Sequence, residues 1–474
     1  MHNTLRMIVM TAVAALATGC TQTVVPPQPP VDPETCTERC DDPPTKQAIA
    51  DFDAAVARYR AATASGELSE QQCDALASAF ADVYKQHGAG MAIAQFNAGA
   101  VRERCGQLDE AAKIYSALIK SVPDFGLAYN NLGVIEWERG QQRAAMDHFR
   151  SAVAKDKLRA LAARNNVSGL AREAYVRTVD RQAFEEAERS IQEVLALDSS
   201  NQRAYENLAR LYYDRGRLQE QSYTVLANLV VQQGLRVIKE QGRESAELLN
   251  VKGLLVLDRG DQVAALKAFE EAARIEPGHV EANLNIAFIA IRFRNYEKAA
   301  RSFELAFKDA QQRQNLEAQL GYGVALRGLK RFDEAKRAYL AAAKIDPDDP
   351  RAQFNLGVLN QDHVASDGEV SNAKTAKYFT IAEQHFQRFL EIAGKRAEYK
   401  TEVLEARDRL ASIDETREII RNAEIIEEEI KRLNAQAAAE REAEIKRLKE
   451  LEERALAAER EAARGREEAS PERG

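Results

Sequence analysis

Histidine is scarce in this chain. There are six in 474 residues, and none stands at a metal-site spacing such as H-E-x-x-H. Cysteine numbers five, tryptophan one, and aromatic residues make up 7%. These shortages leave little material for a metal enzyme or a cofactor pocket. No G-x-S-x-G occurs, and Cys73 and Cys105 have no histidine near them in sequence, so no nucleophile–base pair is legible. A basic excess is also missing: 66 Lys and Arg face 74 Asp and Glu, a net charge of −8, which argues against a nucleic-acid-binding surface. The mean hydropathy of −0.45 rules out a polytopic membrane protein. What remains is 45% hydrophobic and 30% charged, enough to bury a core. The expectation is a binding protein or scaffold, not an enzyme, with no cofactor and no metal.

The N-terminus carries an address. Residues 1–19 read as a secretory signal: Arg6 is its positive region, 7–17 its apolar stretch, too short to span a bilayer, and Ala17-Thr18-Gly19 its small-residue end. Cys20 follows directly. The pattern resembles a bacterial lipobox, with Ala17 where Leu usually stands and Leu16 one place earlier. That resemblance implies lipidation of Cys20, and Thr21 after it leans toward the outer membrane. Residues 20–46 form a tether holding seven of the twelve prolines, extended enough to reach about 80 Å. Lipidation uses Cys20, which leaves Cys36, Cys40, Cys73 and Cys105 as candidates for disulfide pairing in an oxidising compartment. Four cysteines allow three pairings, and all three stay open.

The middle of the chain repeats itself. Gly99, Gly106, Ala111 and Tyr115 are echoed 34 residues later by Gly133, Gly140, Ala145 and Phe149. Gly253, Gly260, Ala265, Phe269, Ala272 and Pro277 continue the theme, followed by Ala299, Phe303 and Ala306, then by Gly323, Ala335, Tyr339, Ala342 and Pro347. Each unit predicts two helices. Gly253 lies in the first and Gly260 ends it, and Ala265, Phe269 and Ala272 share one face of the second. One such pair cannot bury its own apolar face, so units must stack. Gly321-Tyr322-Gly323 looks like part of a phosphate loop, but it falls inside a first helix and reads as packing.

This pattern resembles the tetratricopeptide repeat (TPR), most specifically in 92–125, 126–159, 246–279, 280–313 and 316–349. The resemblance implies an all-α fold: a right-handed TPR α-solenoid. Residues 47–91 are expected to add a leading helix pair, and 92–410 to form the array. It also implies a concave surface lined by first-helix positions such as two, five, nine and twelve. Here these are Phe96, Asn130, Val134, Trp137, Glu206, Arg210, Tyr213, Asn250, Leu254, Leu284, Phe288, Ile291, Phe354 and Val358. Such a lining suits an extended or helical protein segment, although packing between repeats also claims residues at these positions. The Lys and Asn of the TPR clamps that hold chaperone C-termini are not in the matching places.

Residues 411–474 change character, with 13 Lys and Arg against 18 Asp and Glu. Ile426, Ile430, Leu433 and Ala437 follow four–three spacing, which predicts a long charged helix with a thin apolar stripe, either solvated, or coiled with a partner or with another copy of itself. The layout resembles the TPR lipoproteins of bacterial adventurous gliding-motility complexes. It implies a non-enzymatic scaffold at the outer membrane, facing the periplasm, whose partners are other envelope proteins and which takes no nucleic acid. The alternatives are an assembly lipoprotein for type IV pilus secretins or β-barrel insertion, and a regulator that docks peptidoglycan hydrolases. Oligomeric state is not fixed by the sequence.

Overall fold

The computed structural model describes residues 44–64, 66–158, 160–366 and 372–468, with the side chains of 363–366, 373 and 465–468 left out. The signal, Cys20, Cys36, Cys40 and nearly all of the tether lie outside these residues. Among the described residues the regular structure is helical throughout, with no strand. No helix of theirs is long and apolar enough to cross a membrane. The chain divides into two compact units, the first through Ala325 and the second from Leu326.

In the first unit the helices come in pairs. A leading pair, α1 (Lys46–Ala64) and α2 (Glu70–His87), precedes the array. Then follow α3 (Ala92–Arg104) with α4 (Leu108–Ser121), α5 (Gly126–Glu138) with α6 (Gln142–Lys155), and α7 (Leu161–Thr178) with α8 (Arg181–Leu197). After these come α9 (Gln202–Leu218) with α10 (Tyr223–Glu240), α11 (Ala246–Asp258) with α12 (Gln262–Ile275), and α13 (Val280–Arg292) with α14 (Tyr296–Ala306). The next first helix is α15 (Leu316–Gly328), whose last turn belongs to the second unit.

Local chemistry starts and stops these helices. Side chains of Ser69, Asp180, Asn201, Ser245, Asp261, His279 and Asn295 accept from the exposed N–H groups of α2, α8, α9, α11, α12, α13 and α14, each worth about 1 kcal/mol. Within a pair, the glycine of the first helix admits the ring of the second. A Cβ on Gly253 would lie 2.5 Å from Phe269, and one on Gly133 would lie 2.7 Å from Phe149. Both rings are fully buried, which stabilises each pair by roughly 2–3 kcal/mol. The turn between paired helices needs a left-handed residue. Gly106, Gly140 and Gly260 supply it, whereas Val179 takes the same conformation at φ 56° with a branched side chain.

Cys73 on α2 and Cys105 at the end of α3 are joined in a disulfide that closes a separation of 32 residues. It ties the leading pair to the first repeat, beside a core of Phe52, Leu76, Phe80 and Val101.

The second unit contains α16 (Phe332–Ile345), α17 (Pro350–Ser366), α18 (Asn372–Ala393) and α19 (Lys400–Glu468). Phe354 and Val358 on α17 pack with Phe379, Phe386 and Phe389 on α18, and Val403, Ala406 and Ile413 of α19 close that core. Further along, Arg417 pairs with Glu383 at 2.9 Å, and Asn372 donates to Glu424 at 3.1 Å. The helix crosses residues 410 and 411 without a break, and from Arg421 to Arg464 every residue is exposed. This all-α architecture of stacked helix pairs is the TPR α-solenoid arrangement.

Candidate protein-interaction surfaces

The first helices carry the residues expected to line a concave binding face. Twelve of the fourteen are buried, and only Trp137 and Glu206 are half-buried. This corrects the expectation of an open lining: these side chains are buried in packing within their own helix pairs as well as between successive first helices. Phe96 sits 5.6 Å from Tyr115 and 5.7 Å from Phe125. Asn130 accepts from Asn166 at 2.9 Å, in the buried side. Val134 and Trp137 join Phe149, Val167 and Leu170, and the Trp137 indole donates to Glu173 at 3.1 Å. Tyr213 and Leu254 belong to the core around Phe269. Leu284, Phe288 and Ile291 lie on α13, where every residue from Val280 to Ile291 is buried.

The reason is visible at Arg210. Its guanidinium makes a two-pronged contact with Glu281, 2.6 and 2.7 Å, although the two residues are 71 apart in sequence and two repeats apart in the array. It also approaches Glu247 at 3.4 Å and Asp214 at 4.0 Å. Arg172 pairs with Asp214 at 2.5 Å, and Asn250 donates to Glu281 at 2.8 Å. Alongside, Ser245 and Gln202 donate to Glu206 at 2.7 and 2.8 Å. In this way α7, α9, α11 and α13 are bridged side chain to side chain.

The electrostatics keep this network charged. Burial works against the Arg210 charge, but Glu281, Glu247 and Asp214 outweigh it and hold the group more firmly protonated than a free arginine. Burial pushes the Glu247 carboxyl up, and the hydrogen bond from His279 together with the Arg210 charge brings it below the usual carboxylate range. Burial dominates at Glu206, whose carboxyl is raised. The sequence held a signal for this network, two acids 34 residues apart, Glu247 and Glu281, with Arg210 at position nine of the preceding repeat. Periodicity alone could not say that they meet.

Histidines are dispersed. His87 faces Asp51 at 2.8 Å, His148 faces Glu136 at 2.6 Å, His279 faces Glu247 at 3.1 Å, and His385 faces Gln353 at 2.8 Å. Among the described residues no group of His, Cys, Asp and Glu is placed to hold a metal ion.

Exposed apolar side chains gather elsewhere. On α10, Val225, Leu226 and Leu229 are exposed in the first two turns, a patch that the sequence reading did not single out. The larger group is on α19: Leu404, Ile419, Ile425, Ile426, Ile430, Leu433, Ile445, Leu448, Leu451 and Leu456 are ten of the twenty large exposed hydrophobic residues among those described.

Comparison with known proteins agrees with this architecture. Residues 101–160 and 179–221 match the tetratricopeptide repeat family model, and 323–363 match a second TPR repeat model. The chain carries tetratricopeptide repeats. TPR repeats of this kind suggest a scaffold for protein–protein contacts. No curated protein matches the chain in sequence. Among solved structures, PilF of Pseudomonas aeruginosa is 20% identical, with 48% of this chain and 94% of that one covered and a TM-score of 0.38. A thermophilic TPR protein of Thermus thermophilus is 17% identical, covering 42% and 97% at a TM-score of 0.35. A tetratricopeptide repeat protein of Parabacteroides merdae is 14% identical, covering 58% and 99% at 0.43. At these identities and scores the likenesses carry no argument about function.

Proposed function

We propose that this protein is a lipid-anchored, non-enzymatic scaffold of the bacterial outer membrane that faces the periplasm and gathers envelope proteins into a larger machine, such as that of gliding motility. The observation that carries the reading is the order of parts: a lipobox-like Cys20, a proline-rich tether, then a TPR array. The Cys73–Cys105 disulfide supports an oxidising compartment. The exposed apolar side chains of α10 and α19 are the surfaces this reading offers to partners.

Two measurements test the reading. Cys20→Ala should move the protein from the membrane to the soluble fraction, and continued membrane retention would sink the anchor. A crosslinked pull-down of the mature protein should recover motility subunits. Pilus secretin or β-barrel assembly components, or peptidoglycan hydrolases, would instead select one of the two alternative roles.

A further inference from the structure

The exposed part of α19 carries a seam with a repeat of its own. Ile419, Ala423, Ile426, Ile430, Leu433 and Ala437 follow each other at alternating steps of four and three, the spacing of coiled-coil core positions. Eleven residues after Ala437, three helical turns on, Leu448 resumes the line, and Leu451, Ala455 and Ala458 continue it at steps of three and four. The seam therefore keeps to one side of the helix over about 60 Å. All ten residues are exposed, with Ile426 and Ile430 at 59% and 52%. An isolated helix of this kind leaves its apolar line in water, while some of its charges pair along the helix: Lys431 with Glu427 at 2.8 Å and Arg432 with Glu429 at 3.6 Å.

We infer that α19 is covered by α19 of a second copy of this chain, in a parallel, in-register coiled coil. Three features favour that occupant. The line is self-complementary, since in register each layer meets its own kind, Ile430 on Ile430 and Leu433 on Leu433. Over the stretch to Ala437 the flanking positions tolerate it: Asn422 would face Glu427, Glu429 would face Asn434, and Gln436 would face Arg441, while between Ala437 and Leu448 Glu440 and Glu444 would lie near their own copies. The length also suffices, because the seam runs well beyond the roughly 12–15 residues below which a helix is marginal in water. Ile425, Ile445 and Leu456, exposed beside the seam, are not absorbed by this pairing. The inference goes beyond the anchored-scaffold reading and does not depend on it.

The test uses the full chain carrying Cys20→Ala, so the anchor plays no part. Sedimentation equilibrium should give twice the chain mass, and Ile426→Glu with Ile430→Glu should return it to the single-chain mass. Both residues are exposed, so the urea midpoint of the solenoid should not move. Ile430→Cys should form a 430–430 cross-link between copies under oxidation. A single-chain mass with the native seam up to about 100 µM overturns the proposal. So does a double mass that survives both glutamates, and a cross-link from position 430 to a different residue of the second copy overturns the parallel register.

Discussion

Replacing Arg210 with methionine tests whether the first helices are held together as described. The guanidinium is 9% exposed and is matched by Glu281, which is 10% exposed, at 2.6 Å. Methionine fills much of the volume but leaves Glu281 with Asn250 as its remaining donor at 2.8 Å, and Glu247 with His279 at 3.1 Å. Uncompensated buried carboxylates of this kind cost about 3–5 kcal/mol. Adding Glu281→Gln removes the orphaned charge and keeps an acceptor for Asn250. The double variant should therefore recover about 2 kcal/mol of that loss, a coupling energy in the range expected for contacting residues. Repeat arrays need not unfold in one step, so the readout is local: amide hydrogen exchange in α9, α11 and α13, alongside urea unfolding followed by helical signal. If Arg210→Met lost less than about 1 kcal/mol, the network would be a solvated cluster, and the sealing of the first-helix face would be refuted. Strict additivity of the two substitutions would refute the pairing itself.

Two further outcomes are expected. Burial pushes the Glu103 carboxyl up to about 7, against a hydrogen bond from Tyr115, with Glu138 adding to the rise and Asn131 opposing it. A folded-state value raised above the unfolded one contributes stability that is complete below about pH 4.5 and is lost as pH climbs through about 7, up to roughly 3 kcal/mol. Glu103→Gln should flatten that loss, so the variant should outlast the native chain at pH 8 but not at pH 4; parallel urea midpoints at both pH values would contradict the burial argument. Val179 holds the left-handed turn conformation that Gly260 supplies in its own repeat. Val179→Gly should gain about 1 kcal/mol and Gly260→Val should lose at least as much, and thermal melts showing the same sign for both would show that the turn carries no strain.

The sequence alone determined the fold class. A 34-residue period, with glycine and alanine where helices touch and an aromatic between them, leaves one outcome, because a helix pair cannot bury its apolar face without a neighbour. Gly253 and Phe269 illustrate it: small and large residues at those offsets can meet only if two helices pack closely. The long charged helix was equally legible from its lack of proline and its i,i+4 charge pairs.

What the sequence left open depended on distances between repeats. Which two cysteines join was decided by where α2 and the end of α3 lie, not by spacing. Whether positions five and nine face a partner or each other depended on how near successive first helices come. Arg210 and Glu281 are adjacent only because the array brings residues 71 apart together. Local periodicity fixes the faces of a helix, since they follow from 3.6 residues per turn. What covers each face is set by the angle and separation of whole helices, which only the folded array fixes.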